Sequence, residues 1–170
     1  QDQGIAVSGI VMVSPLLESW LTFGDDQSAL RAALQLPSLA AAELERKRAF
    51  SPAALAAAEK FAMTDYLVTM AGPQPQGPAA KAFYERVAEI SGLPVEVVTK
   101  ARGFVENDYV KSLRTGGKIV SRYDATFAVD DPFPERQSAR GADPILDGVT
   151  RAYGGAFASY ARNELGFKTD

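Results

Sequence analysis

The sequence predicts a mainly α fold, an α-rich α+β arrangement of about seven helices, one buried strand and one small hairpin. Three observations carry that expectation. Alanine, which loses no side-chain entropy in a helix, is concentrated between Ala29 and Ala88. Apolar residues recur at three- to four-residue spacing along much of the chain, the repeat of a helix with one buried face. Strand character is confined to two stretches, Ile10–Val13 and Lys118–Val129.

In chain order, Ile10-Val-Met-Val13 comes first. It is continuously apolar rather than alternating, as in a strand covered on both faces; a short buried helical turn is the other reading. Such a strand needs sheet neighbours, and the rest of the chain offers few. Gln27–Leu34 reads as a short helix that stops near Pro37, because proline disfavours helix at the residue before it. Ser38 then caps a second helix through Arg48. Ser51-Pro52 is a start signal, a hydroxyl cap followed by proline at the first helical position. From there Leu55, Ala58, Ala62, Tyr66 and Thr69 or Met70 make one apolar stripe, ended by Gly72-Pro73. The turn-rich stretch 72–78 is a linker.

Ala79–Ser91 follows as a helix with Phe83, Val87 and Ile90 on one side and Gly92 at its end. Pro94 starts a short helix through Arg102, and Asn107 caps another that runs to Arg114. Lys118–Val129, interrupted by Asp124, suits a short exposed hairpin or edge. The stretch 130–141 is an irregular surface connection. Asp143-Pro144 repeats the cap-plus-proline start, and Ile145, Val149, Tyr153, Phe157 and Tyr160 make the clearest stripe in the chain, ended near Gly166. Gly154-Gly155 in its middle costs roughly 1 kcal/mol per residue against alanine, so close packing of another element is expected there.

Composition bounds the chemistry. The chain has 170 residues, with His 0, Cys 0 and a net charge of −3. Without histidine it holds no Ser-His-Asp or Cys-His machinery and no usual zinc site; without cysteine it holds no disulfide and no thiolate nucleophile. An acidic balance argues against a nucleic-acid or anionic-membrane surface. No apolar run reaches the roughly 18 residues of a membrane span. No cofactor and no metal are expected. Gln1 in place of a start methionine, with no basic-then-apolar leader, suggests a processed or excised piece.

Each cluster that could carry chemistry has a plainer reading. Asp25-Asp26, Asp130-Asp131 and Glu106 with Asp108 are carboxylate groups fit for acid/base work or a divalent cation, yet none has calcium-loop spacing and solvated caps look the same. Arg114-Thr-Gly-Gly-Lys118 lacks the spacing of a phosphate loop and reads as a hairpin turn. Glu45-Arg-Lys-Arg48 is a solvated helix end rather than a basic patch. Trp20, Phe23, Tyr123, Phe127 and Phe133 could line a pocket or belong to core and interface. Ser8 and Ser14 flank the first apolar stretch without a Gly-x-Ser-x-Gly elbow. No self-sufficient active site is visible.

The order of six pieces resembles bacterial members of the serine carboxypeptidase family, the cathepsin A type. They are Ile10-Val-Met-Val-Ser-Pro-Leu-Leu17, Leu36-Pro-Ser-Leu39, Phe61-Ala-Met-Thr-Asp-Tyr66, Ser91-Gly-Leu-Pro94, Gly117-Lys-Ile-Val-Ser-Arg-Tyr-Asp124 and Tyr160-Ala-Arg-Asn-Glu-Leu-Gly-Phe167. The resemblance implies a helical cap or lid region attached to one orphan strand of an α/β-hydrolase core, with a short hairpin. Residues 1–22 would be that core strand and its following loop, and 23–170 the cap, with the hairpin near 117–129. The nucleophile would lie upstream and the catalytic acid and histidine downstream, so the chain alone would be inactive and its parent would release C-terminal residues from peptides. The family's loop after this strand supplies a leucine-like wall to a substrate pocket, and Leu16 stands there, behind Ser14-Pro15 where the family commonly has Asn-Gly; plain core is its other reading. A peptide is the implied partner of the parent, whose compartment stays open, a periplasmic or secreted setting being the favoured one. An exposed strand at 10–13 could pair two copies. A stand-alone helical interaction module, and the cap of an esterase or acyltransferase on the same fold, are the alternatives.

Overall fold

The structure, a computed structural model, describes residues 8–13, 15–17, 28–112, 117–136 and 143–167. It is mainly helical with one two-stranded antiparallel sheet. The expected α-rich α+β class is what forms.

The first helix, α1, spans Ala29–Arg46, with Ser28 as its cap, accepting from the Arg31 N–H at 3.4 Å. The expected break at Pro37 does not occur; one helix runs through it. Ala33, Leu36, Ala40 and Glu43 are buried along a single face that continues past the proline. Burying Leu36 contributes about 1.5–3 kcal/mol and the cover over Ala33 and Ala40 adds to it, enough together to offset the roughly 3 kcal/mol that an interior proline costs.

Helix α2, Pro52–Phe61, begins as expected, with Ser51 Oγ accepting from the Ala54 N–H at 3.1 Å. It runs into a π-helical turn, Ala62–Tyr66, and then α3, Leu67–Ala71, which ends at Gly72. Ala58, Ala62 and Tyr66 of the predicted stripe are buried. The Tyr66 hydroxyl donates to the Gly103 carbonyl at 2.7 Å, and its ring stacks on Phe83 with centroids 5.8 Å apart. Burial pushes the phenol above its ordinary range, so it stays a donor.

Helix α4, Gly77–Ser91, starts two residues before the expected Ala79 and buries Tyr84, Val87 and Ile90. Gly92 closes it in the left-handed conformation, φ 74°. Helices α5, Val95–Lys100, and α6, Glu106–Ser112, follow. The α6 helix begins one residue before Asn107, so the expected cap lies inside it; the Val105 carbonyl accepts from the Asp108 and Tyr109 N–H groups at its start. Strands β1, Lys118–Val120, and β2, Ala128–Asp130, pair in the register Ile119↔Val129. The turn between them is held by Asp124, whose Oδ1 accepts from the Thr126 N–H at 2.9 Å and its hydroxyl at 2.6 Å. The hairpin is less exposed than expected: Ile119 and Val120 are buried, and β1 packs on α6.

Helix α1 is the hub of the body, packing on α2, the π turn, α3, α4 and α6. One core cluster runs from Ala33 to Val120 through all of these elements.

Two expectations fail outside that body. Residues 8–12 form no regular element, and Ile10, Val11, Met12 and Val13 are 79, 93, 61 and 86 % exposed. The orphan strand at 10–13 is therefore not formed, because a strand exists only where a neighbour accepts and donates its ladder bonds, and the described sheet is complete with β1 and β2. Helix α7, Pro144–Asn163, starts at Asp143 as expected but has no buried residue. Its stripe stands in solvent, with Tyr153 at 71 % and Phe157 at 69 % exposure. Nothing approaches Gly154 or Gly155 within 4 Å, so the close packing expected there is absent among the described residues.

Candidate functional site

Between the helical body and the hairpin lies a cleft that combines apolar walls with polar groups. Its α1 wall is Gln35, Ser38, Leu39 and Ala42; its α6 wall is Glu106, Tyr109 and Val110; the hairpin supplies Ser121, Arg122, Tyr123 and Ala125. Its volume is about 380 Å³. That lies at the small end of the roughly 300–1,000 Å³ range in which small-molecule sites fall.

Sequence explains why these walls face each other. Spacings of three and four residues put Gln35, Ser38, Leu39 and Ala42 on one side of α1. Arg31, one turn before Gln35, donates to Glu106 at 2.8 Å and ties α1 to the start of α6. The ion pair is largely shielded, with the arginine side chain 12 % exposed. At the hairpin end, Asp143 is 7 % exposed and accepts from Ser121 Oγ at 2.9 Å and the Arg122 N–H at 2.8 Å. The same carboxylate accepts from the Ile145 and Leu146 N–H groups at 3.0 and 3.2 Å, as the cap of α7. Burial pushes its pKa up, but the bonds from Arg122, Leu146, Ser121 and Ile145 outweigh it and hold the carboxyl below its ordinary range. Asp143 thus fixes the edge of the cleft and the origin of α7 with one group.

The Gln35 side-chain oxygen is fully buried, with no surface open to the cleft, and receives no hydrogen bond from any described group. At the rim, Arg122 is exposed with no ion pair among the described residues, and Tyr123 is 71 % exposed. The cleft can therefore bury an apolar group between its walls and pair an anion at its mouth. No group of three or more acids fit to hold a metal ion occurs among the described residues.

The residues singled out in the sequence are scattered. Leu16 is 53 % exposed and lies outside the cleft. Glu106 lines it, already paired with Arg31. Its neighbour Asp108 is half-buried, and burial raises its pKa while Lys100 pulls it down. Asp130 pairs with Lys118 at 2.7 Å in solvent, and Asp131 pairs with Lys111 at 2.9 Å with both side chains largely shielded. In Glu45–Arg48, Arg46 and Lys47 turn back onto the buried Glu43, at 2.7 and 2.9 Å, rather than facing a partner. Of the aromatics, Tyr123 lines the cleft, Phe127 is partly exposed and Phe133 lies under the Arg136 guanidinium at 4.2 Å. Ser8 is exposed. Asp25-Asp26, Ser14, Trp20, Phe23 and residues 114–116 of the glycine turn lie outside the described residues.

Sequence reading missed Gln35, Arg31 and Ser121 as wall and frame of a site. Nothing in their spacing marks them, since Arg31 and Glu106 stand 75 residues apart. Asp143 was legible as a cap, though not as the clasp of the hairpin. Comparison with protein-family models, with curated proteins and with solved structures finds no match to this chain.

Proposed function

We propose that this chain is the cap region of a serine-carboxypeptidase-like hydrolase whose chemistry is supplied by residues outside it. The observation that carries the reading is a division within the chain. The helical body closes its own core, while two apolar surfaces, 10–13 and the stripe of α7, stand in solvent. Exposed apolar residues at this density mark surfaces that another element covers. The six resembling pieces give that element an identity, an α/β-hydrolase core, with 10–13 as a strand completed by its sheet. His 0 and Cys 0 fit the same reading, since the cap would shape access and specificity and leave acyl transfer to a serine, a histidine and an oxyanion hole elsewhere. Leu16, beside the 10–13 segment, would then form part of a substrate wall.

The test compares the 170-residue chain with the product of its complete reading frame, using a blocked dipeptide, an ester of the same acyl group and a serine-reactive fluorophosphonate. The reading expects no turnover and no label on the chain. It expects release of the C-terminal residue by the complete product, with label on a serine outside the 170 residues. Turnover by the chain alone overturns it. A complete product that leaves peptides intact overturns it too, and cleavage of the ester alone would then identify an esterase cap. A second reading, a stand-alone helical interaction module, is favoured by the self-sufficient core of the body. It predicts that the complete product neither cleaves nor takes the label.

A further inference from the structure

We propose that the helical body is an insertion within a second domain, and that the two apolar surfaces flanking it belong together there: the stripe of α7 packs across a strand formed by residues 10–13. The inference rests on the hydrolase reading only for the name of that domain. The two ends of the body lie side by side. At the entry Arg31, in the first turn of α1, holds Glu106 at 2.8 Å. At the exit Asp143 accepts from Ser121 Oγ at 2.9 Å. Glu106 and Ser121 line the same cleft, so the chain enters and leaves the body across the width of that cleft. Adjacent ends are what allow one domain to sit inside another without parting its halves. Without the body between them, 10–13 and α7 are consecutive elements, and consecutive elements are usually neighbours in space.

Each of the two lacks what the other supplies. Ile10-Val-Met-Val13 is apolar at every position, so as a strand it turns Ile10 and Met12 to one face and Val11 and Val13 to the other, and both faces need cover. Helix α7 carries Val149, Tyr153, Phe157 and Tyr160 exposed along one side, a face fit to give that cover. Its spacing puts Asp147, Arg151 and Arg162 on the opposite side, and no residue from Ser8 to Leu17 is charged, so the contact buries no charge. A second copy of α7 laid on the stripe would leave the strand bare, whereas the strand accounts for both surfaces. The pair does not form in the chain alone because a single strand has no ladder partner; sheet neighbours must be in place before α7 has a surface to pack on.

The experiment replaces Phe157, and separately Arg151, by the photoreactive amino acid p-benzoylphenylalanine in the complete reading-frame product and maps the cross-linked peptides by mass spectrometry. Cross-links from position 157 to the peptide carrying Ile10–Val13 are expected, and none to it from position 151. Cross-links from 157 that join two copies, reach only the body or reach only sequence outside the 170 residues overturn the pairing, as does their absence. A charge in the stripe gives a second readout. Phe157→Asp should leave the thermal midpoint of the 170-residue chain within about 2 °C and lower that of the complete product by at least about 5 °C. An unmoved midpoint in the complete product overturns the pairing; if that variant does not fold, the cross-link, which keeps an aromatic at 157, decides alone. No substrate enters either measurement. A cross-linked product without peptidase activity therefore keeps the insertion and loses the hydrolase reading, and an active product without the cross-link loses the insertion alone.

Discussion

Asp143 spends one carboxylate on two elements. Four donors converge on it, two from the end of the hairpin and two from the first turn of α7. Replacing a capping aspartate by alanine costs about 0.5–2 kcal/mol, and the value here belongs near the top because Ser121 and the Arg122 N–H lose their acceptor as well. Asp143→Ala is therefore expected to lower the unfolding midpoint of the hairpin and to speed amide exchange at Ile145–Asp147, measured by hydrogen exchange. The pH dependence follows from the lowered pKa. A carboxyl held below its ordinary value near 3.8 contributes stability that is fully present above that value and lost as pH falls through its folded pKa. First-turn protection of α7 should persist at neutral pH, weaken only below about pH 4, and become insensitive to acid in Asp143→Ala. Gly92 is the other residue with no substitute. Its φ is 74°, and an added Cβ would lie 2.3 Å from a Glu43 carboxylate oxygen that Arg46 and Lys47 hold in place. Gly92→Ala should lose at least about 2 kcal/mol in a denaturant melt, since left-handed backbone alone costs an alanine about 1–2 kcal/mol.

Elements announce themselves at their ends more than in their middles. Ser51-Pro52 and Asp143-Pro144 predicted two helix starts to the residue, because a short oxygen-bearing side chain and a fixed φ act locally. Pro37 was read as a stop for the same local reason, and the reading failed because the buried face of Ala33, Leu36, Ala40 and Glu43 is a tertiary fact. The π-helical turn at Ala62–Tyr66 has no local signature either; it sits where Tyr66 reaches the Gly103 carbonyl, 37 residues away. If packing carries α1 through Pro37, removing the proline should relieve the helix. Pro37→Ala is expected to raise the thermal midpoint by the equivalent of about 2–2.6 kcal/mol, the interior-proline cost less the unfolded-state entropy that proline suppresses. An unchanged or lower midpoint would mean that the helix has already absorbed the proline at no cost.

At the scale of the molecule, the chain divides into a body with a core and apolar surfaces without one. The sequence marked those surfaces correctly as apolar, the α7 stripe by its period and Ile10–Val13 by its unbroken run, but either pattern says only that a face is fit for burial. Whether it is buried depends on what packs against it, as Ile10–Val13 and the α7 stripe illustrate. The cleft was illegible for the converse reason: its α1 wall, Gln35 to Ala42, is far in sequence from the α6 and hairpin walls that start at Glu106. On the proposed reading, the body is self-sufficient while α7 and residues 10–13 are surfaces that the rest of a hydrolase covers. Native-state hydrogen exchange on the 170-residue chain and on the complete reading-frame product tests it most directly. The account predicts equal, strong protection of α1, α2 and α4 in both proteins, with α7 and residues 10–13 exchanging rapidly in the chain and slowly in the complete product. Protection of α7 to the level of the body in the chain alone, or rapid exchange at both surfaces in the complete product, would contradict it.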